Sequence, residues 1–172
     1  MNHYLAPSHR MRERTSRRTG PFAVGSWLLL AAMVLAGCTQ PQPQESNFVP
    51  VEVLADGYEG EWILVNYWAT WCGPCIGEIP ELNRLHAEHP GVVVLGVNFD
   101  DPQGEQAQSD RQKMKIEFPV LLSDPSHLLN VDRPMVLPTT YIVSPAREVV
   151  EILIGPQTEE TLLTRIAVAR DA

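Results

Sequence analysis

WILVNYWATWCGPCIGEIP, residues 62–80, joins two kinds of pattern. Its first seven residues are an unbroken aromatic and β-branched run, the mark of a strand buried on both faces of a sheet. The run ends just before Cys72-Gly73-Pro74-Cys75, and a helical pattern follows through Ile79, Leu82 and Leu85. Two intervening residues let both sulfurs meet within one helical turn. The first cysteine falls at the helix N-terminus, where free N–H groups and the positive end of the peptide dipoles favour a thiolate. Its pKa is therefore expected below the free value of about 8.5. Cys72 is the expected nucleophile. Cys75, one turn inside the helix, is the expected resolving thiol that breaks a mixed disulfide. Pro74 pre-sets a helical dihedral and removes an N–H that has no partner there. An inert disulfide or a buried thiol pair is the alternative, and the placement at a helix start weighs against it.

Working outward, residues 51–54 alternate as a short strand before the turn residues Asp56, Gly57 and Gly60. Residues 92–97 form a second buried strand. Residues 105–117 are polar and predict an exposed helix, residues 118–122 a strand, and residues 125–130 a helical turn capped by Asp124. Two strands over 139–143 and 148–154, joined by a tight turn at Ser144-Pro145-Ala146-Arg147, precede an amphipathic helix over 158–170. Strands alternating with helices and closing on a hairpin predict an α/β fold, a mixed central sheet flanked by helices on both faces.

Residues 62–80, with Pro80 five positions after the second cysteine, resemble the active-site segment of the thioredoxin superfamily. Residues 136–141, Val-Leu-Pro-Thr-Thr-Tyr, are similar to that superfamily's cis-proline loop, which implies that Pro138 lies opposite Cys72. Cys75 and Pro138 are 63 positions apart, longer than in minimal thioredoxins. The excess resembles the extra helix and strand of the TlpA/ResA-type membrane-anchored thiol-disulfide oxidoreductases. The resemblance implies a thioredoxin-like fold with a helix/strand insertion, and dithiol–disulfide exchange in which Trp71, Gly73, Pro74 and Pro138 shape the site around Cys72 and Cys75. It implies no cofactor beyond the redox-active disulfide, protein disulfides as substrates and a membrane thiol/disulfide electron donor, with cytochrome c maturation among the processes such reductants serve.

The superfamily's buried aspartate corresponds here to Asn66, whose amide cannot accept a proton. In the TlpA/ResA group a carboxylate after the next strand lies near the cysteines. That implies Asp100 or Asp101, with Asp101 slightly preferred, although Asp101 also reads as a solvated loop residue before Pro102. Glu78 matches a family position one turn past Cys75, and it also simply favours an early helical turn. Two other classes share the fold. A copper(I)-handling chaperone of the Sco type resembles a CxxxC spacing with a distal histidine, and a peroxiredoxin-like peroxidase sets its cysteine among Thr and Pro; neither pattern is present. His86 and His89 fall late in the site helix and read as solvent-facing, and His127 has no cysteine or histidine at ligand spacing, so no metal site is expected.

The chain has 172 residues and a formal net charge of -8, which argues against nucleic acid as a partner. Five of its thirteen basic residues lie in the first twenty positions; from residue 21 on, eight basic and twenty acidic residues give a net of -12. An apolar run without charge, residues 22–36, follows the basic stretch, as in a secretory signal. The run is shorter than the roughly 20 residues of a spanning helix. It ends in Leu35-Ala36-Gly37-Cys38, which resembles a bacterial lipobox and implies lipidation of Cys38 after removal of residues 1–37. Arg17-Arg18 lacks the apolar residue that a twin-arginine signal has next. Residues 38–50, rich in Pro and Gln, read as a tether reaching roughly 30 to 40 Å, and residues 51–172 as the thioredoxin-like domain. The expected setting is the bacterial cell envelope, with the lipid on Cys38 in the membrane and the domain facing the periplasm.

Overall fold

The structure, a computed structural model, describes residues 47–172. The expected leader, Cys38 and most of the tether lie outside the described residues. In chain order the elements are β1 (Phe48–Val49), α1 (Val53–Asp56), β2 (Trp62–Trp68), α2 (Gly73–Glu88), β3 (Val92–Asn98), α3 (Gly104–Met114), β4 (Val120–Leu121), β5 (Thr139–Val143), β6 (Val149–Ile154) and α4 (Glu159–Arg170). The six strands form one mixed sheet in the order β1-β4-β3-β2-β5-β6.

β2 lies inside the sheet, and all seven of its residues are buried. Trp62, Leu64 and Trp68 pack on one face with Cys75, Ile79, Leu82 and Leu85 of α2 and Leu162 and Ile166 of α4. Ile63, Val65 and Tyr67 pack on the other with Leu54 of α1, flanked by Tyr58, Leu129 and Val131. This two-sided burial is why the run in the sequence is continuous rather than alternating. β2 and β3 are parallel and in register from Trp62↔Val92 to Trp68↔Asn98, so residues 69–72 and 99–103 leave the sheet at the same edge. β5 enters antiparallel with Thr139 opposite Tyr67, which brings Pro138 to that edge as well. Three loops thus converge where ligands of α/β sheets usually sit, beyond the carboxyl ends of parallel strands.

The structure corrects three elements. Residues 51–54 do not form a strand: the edge strand is Phe48–Val49, paired with β4 at Phe48↔Val120 and Val49↔Leu121. After Pro50 the chain turns, with Val53 N bonded to Pro50 O (3.3 Å) and Leu54 N to Val51 O (3.1 Å). That turn buries Leu54 to 3% exposure, worth about 2 kcal/mol, against which an alternation of two valines at a sheet edge counts for little. α3 stops at Met114, where Lys115 adopts φ 57° and donates to Arg111 O and Gln112 O. Its polar sequence hides a buried side formed by Asp110, Arg111 and Met114. Finally, only Val120–Leu121 of residues 118–122 pairs as a strand. Residues 125–130 make one turn, closed by Leu129 N to Pro125 O (3.0 Å) and opened by Asp124 Oδ1 accepting from Ser126 N (2.8 Å). Among the described residues, no helix is long and apolar enough to cross a membrane.

Candidate active site

Cys72 and Cys75 form a disulfide with Cα atoms 5.3 Å apart. Cys72 is the N-cap of α2, its Sγ accepting from Cys75 N at 3.2 Å, so the sulfur occupies the position where a capping oxygen normally neutralises free N–H groups. A thiolate released there meets the same N–H donor and the positive end of the helix. Cys72 is 4% exposed and Cys75 fully buried, which orders the two as outer and inner sulfur. The preceding turn is closed by Cys72 N donating to Ala69 O (3.1 Å). Gly73 faces open space, with no atom within 4 Å of where a Cβ would stand. A partner's backbone therefore has room to approach the outer sulfur.

The Leu137–Pro138 peptide is cis. Its loop is tied down by Gly155 N to Pro138 O (2.9 Å) and by Thr139 Oγ1 to Val136 O (2.7 Å). Apolar side chains flank both the disulfide and this loop: Trp71 is 64% exposed, Ile76 54%, Met135 93% and Val136 52%.

One turn after Cys75, on the buried side of α2, lies a buried polar group. Asn66, fully buried in β2, donates from Nδ2 to Glu78 Oε1 (2.8 Å) and Thr140 Oγ1 (3.0 Å). Glu78, one turn after Cys75 on the buried side of α2, receives the Gln157 backbone N–H on Oε2 at 2.9 Å. Burial pushes the Glu78 carboxyl up from its ordinary 4.5 to about 7, with the Gln157 N–H and the Asn66 amide pulling back. A carboxyl that titrates near neutrality beside a thiol pair can take and return a proton in that pH range.

The structure places the carboxylate candidates in different surroundings. Asp101 stands exposed at φ 50°, its Oδ1 and carbonyl oxygen each 3.3 Å from Gln103 Nε2. Its neighbour Asp100 accepts Trp71 Nε1 on Oδ2 at 2.9 Å. Both sit on the loop leaving β3, which turns outward, whereas Glu78 shares the stripe of Cys75, Ile79, Leu82 and Leu85. A carboxylate placed on an apolar helical stripe was the sequence signal for it. Thr140 and Gln157 carried no such signal, because only strand pairing and the start of α4 bring them to Asn66 and Glu78. The histidines are engaged elsewhere: His86 Nδ1 accepts Val94 N (3.2 Å), and His89 Nε2 meets Glu159 Oε1 (2.6 Å). Among the described residues no group of three or more His, Cys, Asp or Glu side chains is arranged to hold a metal ion.

A family model described as the AhpC/TSA family matches residues 42–152. The chain is 29% identical over 131 residues to the thiol-disulfide oxidoreductase ResA of Geobacillus kaustophilus, covering 75% of each chain. It is 34% identical over 113 residues to the thiol:disulfide interchange protein HelX of Rhodobacter capsulatus, covering 65% of this chain and 62% of that one. Among solved structures it is similar to a DsbF homologue from Corynebacterium diphtheriae, with a TM-score of 0.57 and 25% identity over 67% of this chain and 75% of the other.

Proposed function

Because the chain belongs to the AhpC/TSA family and its relatives are thiol-disulfide oxidoreductases, we propose that it is one too, working as a reductant of protein disulfides. The observation that carries this reading is the Cys72–Cys75 disulfide at the start of α2, backed by the buried Glu78 carboxyl. In the reduced chain the Cys72 thiolate attacks one sulfur of a substrate disulfide, forming a mixed disulfide and expelling a substrate thiolate. Glu78 takes the Cys75 proton. The Cys75 thiolate then attacks Cys72 Sγ, closing the intramolecular disulfide and releasing the second substrate thiolate, to which the proton passes. Two electrons move to the substrate, and a membrane dithiol donor restores the reduced pair.

The reductive direction rests on two features. The Gly73-Pro74 filling is similar to that of thioredoxins, whose potential is about -270 mV. Residues 47–172 hold nineteen acidic and eight basic side chains, a net of -11, and negative charge around a thiolate favours the disulfide. Lipidation at Cys38 would keep the domain at the envelope membrane, facing the periplasm.

Titration of the pair against glutathione buffers, with trapping of mixed disulfides by Cys75→Ser in periplasmic extract, tests the chemistry. A potential near about -120 mV overturns the reductive direction. Stoichiometric copper(I) binding without exchange, or peroxide turnover in its place, overturns the oxidoreductase assignment. Radioactive palmitate incorporation that survives Cys38→Ala overturns the anchor.

A further inference from the structure

We propose that Gly155-Pro156-Gln157 is a positioning segment that couples the Pro138 loop to the Glu78 carboxyl, an inference that rests on the exchange reaction above. Its first residue holds the loop: Gly155 N donates to Pro138 O at 2.9 Å, and Ile154 just before it pairs with Thr139 across β5 and β6. Its last residue holds the acid, with Gln157 N donating to Glu78 Oε2 at 2.9 Å. The segment between these bonds is short and stiff. Gly155 turns at φ 91°, a conformation that a side chain would strain. Pro156 has a φ fixed by its ring, and Gln157 Nε2 closes back on Gly155 O at 2.9 Å. Beyond it the chain is tied to both helices, because Thr158 caps α4 through Thr161 N and Glu159 N donates to Glu81 Oε2 (3.2 Å) on α2.

The two ends serve different halves of the exchange. Pro138 lies at the sheet edge where the disulfide sits, so a partner joined to Cys72 bears on its loop. Glu78 takes the Cys75 proton, and its readiness to do so depends on its hydrogen bonds. The carboxyl is 1% exposed and receives the neutral Asn66 amide of β2 at 2.8 Å as well as the Gln157 N–H. Both donors favour the carboxylate, against the burial that pushes it up to about 7. α2 adds the Cys75 thiol one turn back on the same face, and β5 the Thr140 hydroxyl, which meets Asn66. The charged side chains of the two helices pair with one another, Glu81 with Arg84, and Glu159 with Arg84 and His89. The Gln157 N–H is therefore the donor that movement of the Pro138 loop reaches. At 2.9 Å it already has the usual N–H···O separation, so displacement weakens it and leaves Glu78 a stronger base. Transfer of the Cys75 proton becomes more favourable once a partner is in place.

The test uses the full chain, reduced and mixed with an aromatic disulfide whose thiolate product is coloured. Attack by Cys72 releases one aromatic thiolate and leaves the other half on Cys72. Attack by Cys75 on Cys72 Sγ releases the second, so the second phase reads the resolving step. In the wild type its rate is expected to rise with pH around a midpoint near 7, where Glu78 becomes a carboxylate. Gln157→Pro removes the N–H and moves that midpoint up by about one pH unit, which slows the second phase about tenfold below it. Gln157→Ala keeps the N–H and separates its effect from that of the side chain: its midpoint stays close to the wild type's. Gly155→Ala also keeps the N–H but strains the turn, and it shifts the midpoint in the direction of Gln157→Pro. For the coupling, Cys75→Ser is captured at Cys72 with a cysteine-containing peptide or with mercaptoethanol, and the Glu78 carboxyl is titrated by NMR. The peptide adduct is expected to titrate about half a pH unit higher. A folded Gln157→Pro with the wild-type midpoint, or two adducts that titrate alike, overturns the proposal. Should Gln157→Pro fail to fold, an unshifted midpoint in Gly155→Ala overturns it equally. A wild type that releases neither thiolate refutes the exchange reaction and the coupling with it; release of both with a second phase independent of pH refutes the coupling alone.

Discussion

Glu78→Gln isolates the electrostatic cost of a carboxyl on the buried side of α2. The carboxyl is buried at 1% exposure, and its pKa rises from an ordinary 4.5 to about 7. Between those values the folded chain holds a proton that the unfolded chain has released, so stability falls as pH rises through this window and levels off above it. The displacement corresponds to about 3 kcal/mol. Gln carries no charge and fits the same space. Asn66 Oδ1 has no hydrogen-bond partner, so its amide can turn over and accept from the new Gln amide and from the Thr140 hydroxyl. The oxidised variant should therefore match the wild type at pH 4 and exceed it by about 3 kcal/mol at pH 8.5. Urea titrations at intervals between those pH values measure this. With a denaturant slope of about 1.5 kcal/mol per molar, the two midpoints should separate by about 2 M at the alkaline end. Midpoints that stay a constant distance apart across the range would refute the assignment of a raised pKa to Glu78.

Three further substitutions probe neighbouring parts of the fold. Asn66→Asp places a second carboxyl against Glu78, so the pair should share one proton through neutrality; an NMR titration should show one carboxyl above 7, and two ordinary acid titrations would contradict this. Gly96→Ala puts a Cβ 2.9 Å from Trp68 Nε1 and 3.0 Å from Phe118 Cε2, both on fully buried rings, and should cost about 1–3 kcal/mol in urea unfolding. Thr158→Ala removes the hydroxyl that caps α4 through Thr161 N at 3.2 Å, with an expected loss of about 1 kcal/mol by the same measurement.

The local chemistry of this chain was legible before any coordinates. A strand buried on both faces must be continuously apolar, so Trp62–Trp68 declared itself, and a CxxC at the junction with a helical stripe placed Cys72 as the N-cap of α2. Such signals are carried by residues adjacent in sequence, which is why they survive in one dimension. What sequence could not decide was everything that depends on which strand lies beside which. The sheet order placed Asn66 against Thr140, 74 positions away, and the start of α4 delivered Gln157 to Glu78, 79 positions away. Only that enclosure turned Glu78 from a helix-favouring acid into a buried carboxyl, because a pKa responds to the water and dipoles around a group rather than to its neighbours along the chain. The same distinction separates the two aspartates: in sequence Asp101 was slightly preferred over Asp100, and the path of the loop after β3 left both exposed but gave Asp100 the Trp71 indole and Asp101 only the nearby Gln103 amide.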